Sequence, residues 1–178
     1  MKRPLIVIVV ILLICLASYI VDFIKVSYRI NLLWNYNYSS DVAQGIVFSK
    51  NISHSNENRC NVNYSNIRIT ESFKGELRSG NIIKAIGIEA HEYREVGSKH
   101  FLLLKPFLAT EFPGFGNCKN EDFQDYFVIH HWCCSINSQQ NSFNMRDMIN
   151  SEKAGDIYLV PVEATYTYLR WHKLIFAE

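Results

Sequence analysis

NIRITESFKGELRSGNIIKAIGIEAHEYREVGSKHFLLLKPF, residues 66–107, is the stretch on which the fold turns. Between Ile67 and Phe73 the side chains Ile67, Ile69 and Phe73 share one parity, with Glu71 the exception, while Arg68, Thr70 and Ser72 share the other. A period of two is that of a strand with one buried face. Gly75, Arg78, Ser79 and Gly80 break the alternation before a second apolar run, Ile82 to Ile88, which predicts an antiparallel hairpin with a long turn. After a turn at Gly97, Phe101, Leu102, Leu103 and Leu104 are apolar on both parities. A strand buried on both faces lies central in a sheet or closes a barrel.

Working outward, Val42 to Ile52 reads as the first strand, with Gly45 where a barrel strand bends. Cys60 opens the next strand, and a parity slip between Tyr64 and Ile67 predicts a bulge near Ser65. The charged segment from Glu89 to Ser98 reads as a solvated loop that Tyr93 and Val96 could pin down. Thr110 to Asp125, with Pro113, Gly114 and Gly116, is an irregular excursion. Tyr126 to Ile136 reads as a strand, Ser142 to Ile149 as a short helix and Ile157 to Val160 as the last strand. Pro161 then suits the first position of a helix whose inner stripe is Val162, Tyr166, Leu169 and the stem of Lys173.

The strand ending in ESFKG, the following GNIIKA, the turn in VGSKHFLLL and the upstream DVAQGIVFSK together resemble the OB-like barrel of the netrin and tissue-inhibitor-of-metalloproteinase class, a pattern also met in exported bacterial proteins. The resemblance covers Asp41 to Phe107. It implies a mainly β fold: an OB-like antiparallel β-barrel, here with an N-terminal transmembrane helix and a C-terminal helix. In the metalloproteinase inhibitors a cysteine at the mature N-terminus reaches the protease zinc. No cysteine of this chain stands where cleavage would expose it in that role.

The N-terminus is basic, with Lys2 and Arg3, and Leu5 to Val21 is apolar or aromatic except for Ser18. Extended to Ile24, this gives roughly 20 residues or about 30 Å of helix, enough to span a bilayer core. Small residues at Ala17 and Ser18 make a cleaved signal peptide the competing reading. The uncleaved anchor is preferred because the apolar run continues past them. Cys15 follows Ile14, where a lipoprotein signal would carry a small residue. Lys2 and Arg3 hold the N-terminus in the cytoplasm, against the weaker opposing pull of Lys25 and Arg29, and so place the remainder on the extracytoplasmic side. The expected organisation is therefore an anchor over residues 1–24, a juxtamembrane helix and linker over 25–40, and an exported OB-like domain over 41–178, periplasmic or secreted if cleaved. Trp34, Tyr36 and Tyr38 suit the membrane interface or pack on the domain, and Asn35 to Ser40 reads as linker.

Cys15 lies in the apolar segment; Cys60, Cys118, Cys133 and Cys134 lie outside it. Four cysteines in an exported domain predict two disulfides with three possible pairings. Neighbours on a strand face opposite ways, so Cys133 and Cys134 would each bridge to a different partner, Cys60 or Cys118. The competing chemistry is a metal or catalytic site in His130-His131-Trp132-Cys133-Cys134, where His131 and Cys133 would share a strand face. It lacks a C-x-x-C and a second ligand pair at a recognised spacing. Glu111, Glu121, Asp122 and Asp125 do not follow the alternate-position calcium loop. No phosphate-cradling glycine loop, G-x-S-x-G or H-E-x-x-H is present, so no cofactor, metal or catalytic residue is expected. The N-x-S sequons at Asn37, Asn51 and Asn63 carry little weight in a chain this rich in asparagine and serine.

A net charge of +1 with scattered signs argues against nucleic acid, which an OB groove binds with aromatics in a basic surround. The expected partners are the lipid bilayer, through the N-terminal helix, and a protein met by the loops Ser53 to Arg59 and Pro113 to Asp125. The expected function is a non-enzymatic binding or envelope-interaction module. The alternatives are a secreted inhibitor of the same fold and a metal-binding or enzymatic protein using the His130 to Cys134 cluster.

Overall fold

A computed structural model describes residues 2–30, 32–55, 60–87, 95–108, 111, 118–129, 135–137, 141–146 and 157–176. Helix α1 (Lys2–Ile30) leads into α2 (Leu32–Tyr38), followed by strands β1 (Asp41–Ser55), β2 (Cys60–Lys74), β3 (Ile82–Gly87), β4 (Lys99–Pro106), β5 (Tyr126–Ile129), β6 (Ser135–Asn137), β7 (Ser142–Arg146) and β8 (Ile157–Pro161), and by helix α3 (Glu163–Phe176). Strands β1 to β5 close in the order β1-β2-β3-β5-β4 back to β1. The result is a five-stranded OB-like barrel, extended from β4 by β6, β7 and β8.

The doubly apolar run at Phe101 is the seam. Strand β4 pairs antiparallel with β1 from Lys99 to Leu104 and with β5 from Leu104 to Pro106. Leu102 and Leu104 join Ala43, Val47, Ile67, Ile69, Ile83, Ala85 and Ile129 inside the barrel. Phe101 and Leu103 point the other way, into a second cluster formed with the helices. Burial on both faces is what an unbroken apolar strand requires. The β2–β3 hairpin is antiparallel from Ser65 to Arg68, and β3 pairs parallel with β5 because β4 crosses to the far side before the chain returns.

Gly45 marks a close approach within the wall: a Cβ there would meet Ile67 Cγ2 at 2.5 Å and Leu102 Cδ1 at 3.1 Å. The bulge anticipated near Ser65 is not in β2: the extra residue, Phe48, lies on the facing strand β1, where Val47 pairs with Ile67 and Ser49 with Asn66. A further shift lies between Gln44 and Gly45, opposite Ile69 and Glu71. It places Ile67 and Ile69 inside the barrel while Phe73, two places beyond Glu71, enters the helix-side cluster. The other end of the barrel is closed by Phe107, Phe123 and Tyr126, whose rings meet edge to face at 5.5 and 5.2 Å.

Several local expectations are corrected. Asn35 to Ser40 is not a linker: residues up to Tyr38 belong to α2, and Asn35 and Ser39 are buried. Of the two readings given for Tyr36, packing on the domain is the one realised, because its helix packs against the barrel. Residues 142–146 form strand β7, not a helix, since β6 and β8 pair with them on both sides and sheet pairing overrides weak local propensity. Pro161 ends β8, and α3 begins two residues later with Val162 O accepting from Tyr166 N at 3.0 Å. The segment read as one strand from Tyr126 to Ile136 contains two, β5 and the start of β6. Val96, proposed as a pin for its loop, is exposed; Tyr93 lies outside the described residues.

Candidate functional site at the helix–barrel junction

The site where most elements converge is the barrel flank covered by α1, α2 and α3. The stripe Val162, Tyr166 and Leu169 forms as its spacing predicts and buries against Val42, Phe73, Phe101 and Leu103, with Leu32 and Tyr36 of α2 completing the cluster. Phe73 holds the centre, its ring 4.7 Å from Tyr166 and 6.0 Å from Phe101. Helix α1 joins the same cluster through Phe23, whose ring lies 4.5 Å from that of Tyr168. Helix α1 is thus packed onto the domain at its C-terminal part. Its apolar window from Ile6 to Ile24 is long and apolar enough to cross a membrane.

Polar groups frame this apolar joint. Glu71, the residue that broke the strand alternation, receives a two-pronged ion pair from Arg170 of α3, at 2.7 Å to Oε1 and 2.9 Å to Oε2. Those hydrogen bonds hold the Arg170 guanidinium above its ordinary pKa. Lys173 Nζ donates to Ser72 O at 2.9 Å, and Lys74 Nζ donates to Tyr36 O at 2.9 Å. Burial, and secondarily the charge of Glu71, pushes the Tyr166 hydroxyl far above its usual range. The Tyr166 ring packs in the core of this joint.

The start of β1 is tied to the β2–β3 turn by Asp41. Its Oδ1 accepts from Glu76 N at 2.9 Å and Leu77 N at 3.2 Å, and its Oδ2 accepts from Ser40 Oγ at 2.9 Å. Gly75, at φ 85°, passes so close that a Cβ would run into this carboxylate. Sequence reading missed Asp41, whose role needs the fold; Glu71 was visible as the one charge on an apolar parity.

The anticipated sites are only partly covered. Of the two cysteines whose side chains are described, Cys15 is a free thiol on the exposed face of α1 and Cys118 is not free. Cys118 is half-buried against the cluster of Phe107, Phe123 and Tyr126. Cys60 is the first residue of β2, and Cys133, Cys134 and the rest of the His130 to Cys134 cluster lie outside the described residues. Residues 56–59 and 113–117 of the two loops proposed for a partner also lie outside them. Glu111, Glu121 and Asp125 are exposed. Among the described residues no group of three or more His, Cys, Asp or Glu side chains could hold a metal ion. Neither a protein-family model nor a curated protein matches this chain.

Proposed function

We propose that this protein is a single-pass, membrane-anchored OB-like module whose barrel stands on the extracytoplasmic side and works by binding. The observation that carries the reading is the continuity of anchor and domain: α1 runs as one helix through Ala17 and Ser18, and its Phe23 reaches the core that α2 and α3 share with the barrel. An anchor built into the core positions a domain at a surface, which a flexible tether would not do. Lys2 and Arg3, ahead of the apolar window, support this side, since basic residues flanking a span favour the cytoplasm. Binding in place of catalysis is supported by the barrel interior, which is filled by Val47, Ile67, Ile69, Leu102 and Leu104 and leaves recognition to the surface and end loops.

The netrin and metalloproteinase-inhibitor resemblance enters this reading as a kinship of barrel architecture. Disulfides that join Cys60 and Cys118 each to one of Cys133 and Cys134 belong to it as well. Alkaline carbonate extraction combined with external protease on intact cells tests the proposal. Retention in the membrane pellet with digestion of the barrel supports it. Release of a shortened chain into the soluble fraction defeats the anchor, and a barrel protected until cells are opened defeats the orientation.

A further inference from the structure

We infer that the exposed apolar stripe of α3, formed by Trp171, Leu174 and Ile175, lies in the headgroup boundary of the bilayer that α1 crosses, so that the barrel is held flat against the membrane; this rests on the anchor reading above. Ala164, Tyr168, Trp171 and Ile175 follow one another at spacings of four, three and four residues. On a helix of about 3.6 residues per turn they form one continuous stripe. It runs opposite the face of Val162, Tyr166 and Leu169 that enters the core.

The stripe is covered in its first half and open in its second. Ala164 is buried and Tyr168 is half-buried against Phe23. Trp171, Leu174 and Ile175 are 61%, 76% and 66% exposed. Phe23 is the penultimate residue of the window Ile6–Ile24. Tyr168 therefore stands level with the end of the apolar layer, and Trp171 lies roughly 5 Å further along α3, within the thickness of a headgroup region. Tryptophan favours that boundary, where an apolar ring and an N–H donor are both satisfied.

Charge placement agrees. The cations of α3, Arg170 and Lys173, both turn towards β2, to Glu71 and to the carbonyl of Ser72, so the outer stripe carries no charge that would resist entry. A second copy of the chain is a poorer occupant. Three side chains offer a few hundred Å², well short of the roughly 800 Å² per partner of a stable interface.

The full-length chain reconstituted in phosphatidylcholine–phosphatidylglycerol vesicles tests the inference, with lipids brominated near the headgroup end of the acyl chain as quenchers. Wild type and W171F are compared, and each is also titrated with aqueous acrylamide. The inference expects brominated lipid to quench wild-type emission, most of that quenching to vanish in W171F, and Leu174→Glu with Ile175→Glu to abolish the Trp171 contribution while the chain stays with the vesicles after an alkaline wash. Equal lipid quenching of wild type and W171F overturns it and leaves the anchor intact. Trp171 shielded from both quenchers, with cross-linking that rises with protein-to-lipid ratio, assigns the stripe to a second copy and overturns it. A chain washed off the vesicles overturns the anchor reading and the inference together.

Discussion

Replacing Asp41 with alanine removes the carboxylate that ties the start of β1 to the β2–β3 turn. Two backbone donors, Glu76 N and Leu77 N, lose their acceptor, while the Ser40 hydroxyl keeps Leu104 O at 3.2 Å. A hydrogen bond to a charged group contributes about 1.5–3 kcal/mol, and a donor left unsatisfied in a buried place costs about 1–3 kcal/mol. Asp41 itself is 8% exposed, but the turn is only part-buried, so water replaces some of what is lost. The expected cost is therefore about 2–3 kcal/mol, a large share of the roughly 5–15 kcal/mol that holds a typical domain together. Asp41→Asn keeps an acceptor oxygen but not the charge, and is expected to cost about half as much. Urea unfolding of the intact chain in detergent micelles reads the difference as a shifted midpoint at constant slope. An alanine variant within about 0.5 kcal/mol of wild type would refute the reasoning, because ordinary surface substitutions fall in that range. An asparagine variant as damaged as alanine would show that charge, and not acceptor geometry, holds the turn.

Two other substitutions probe the barrel wall and the helix flank by the same measurement. Gly45→Ala forces a methyl into Ile67 and Leu102 and is expected to cost about 1–3 kcal/mol through overpacking, against about 1 kcal/mol for Gly80→Ala, whose turn at φ 92° has open space around it; equal costs would deny the close approach at Gly45. Phe73→Ala empties the centre of the joint between β2 and α3 and is expected to cost about 3–5 kcal/mol, checked by the midpoint shift and by loosened protease protection of α3; a cost below about 1 kcal/mol would mean that α3 does not seal that flank.

What the sequence determined by itself were the features written in a single element's periodicity. The segment from Leu5 to Ile24 needs no partner to be legible as a helix long and apolar enough to cross a membrane. The both-sided burial of Phe101 to Leu104, the hairpin punctuated by Gly75 and Gly80, and the inner stripe Val162, Tyr166 and Leu169 follow from the repeat lengths of strand and helix. The tertiary structure alone decided which strands are neighbours, because the β1–β4 closure and the parallel β3–β5 pair join segments whose local patterns say nothing about each other. It also decided between states that local preference leaves nearly equal. Ser142 to Arg146 becomes a strand because β6 and β8 supply hydrogen-bonding partners on either side, and Asn35 to Tyr38 becomes helix because Leu32 and Tyr36 find a core to enter. Asp41 and the Glu71–Arg170 pair could not be read from spacing, since their partners lie far along the chain and meet only when the barrel closes. Local pattern sets the shape of each piece at little entropic cost; non-local contacts, which must repay loop closure, choose the arrangement.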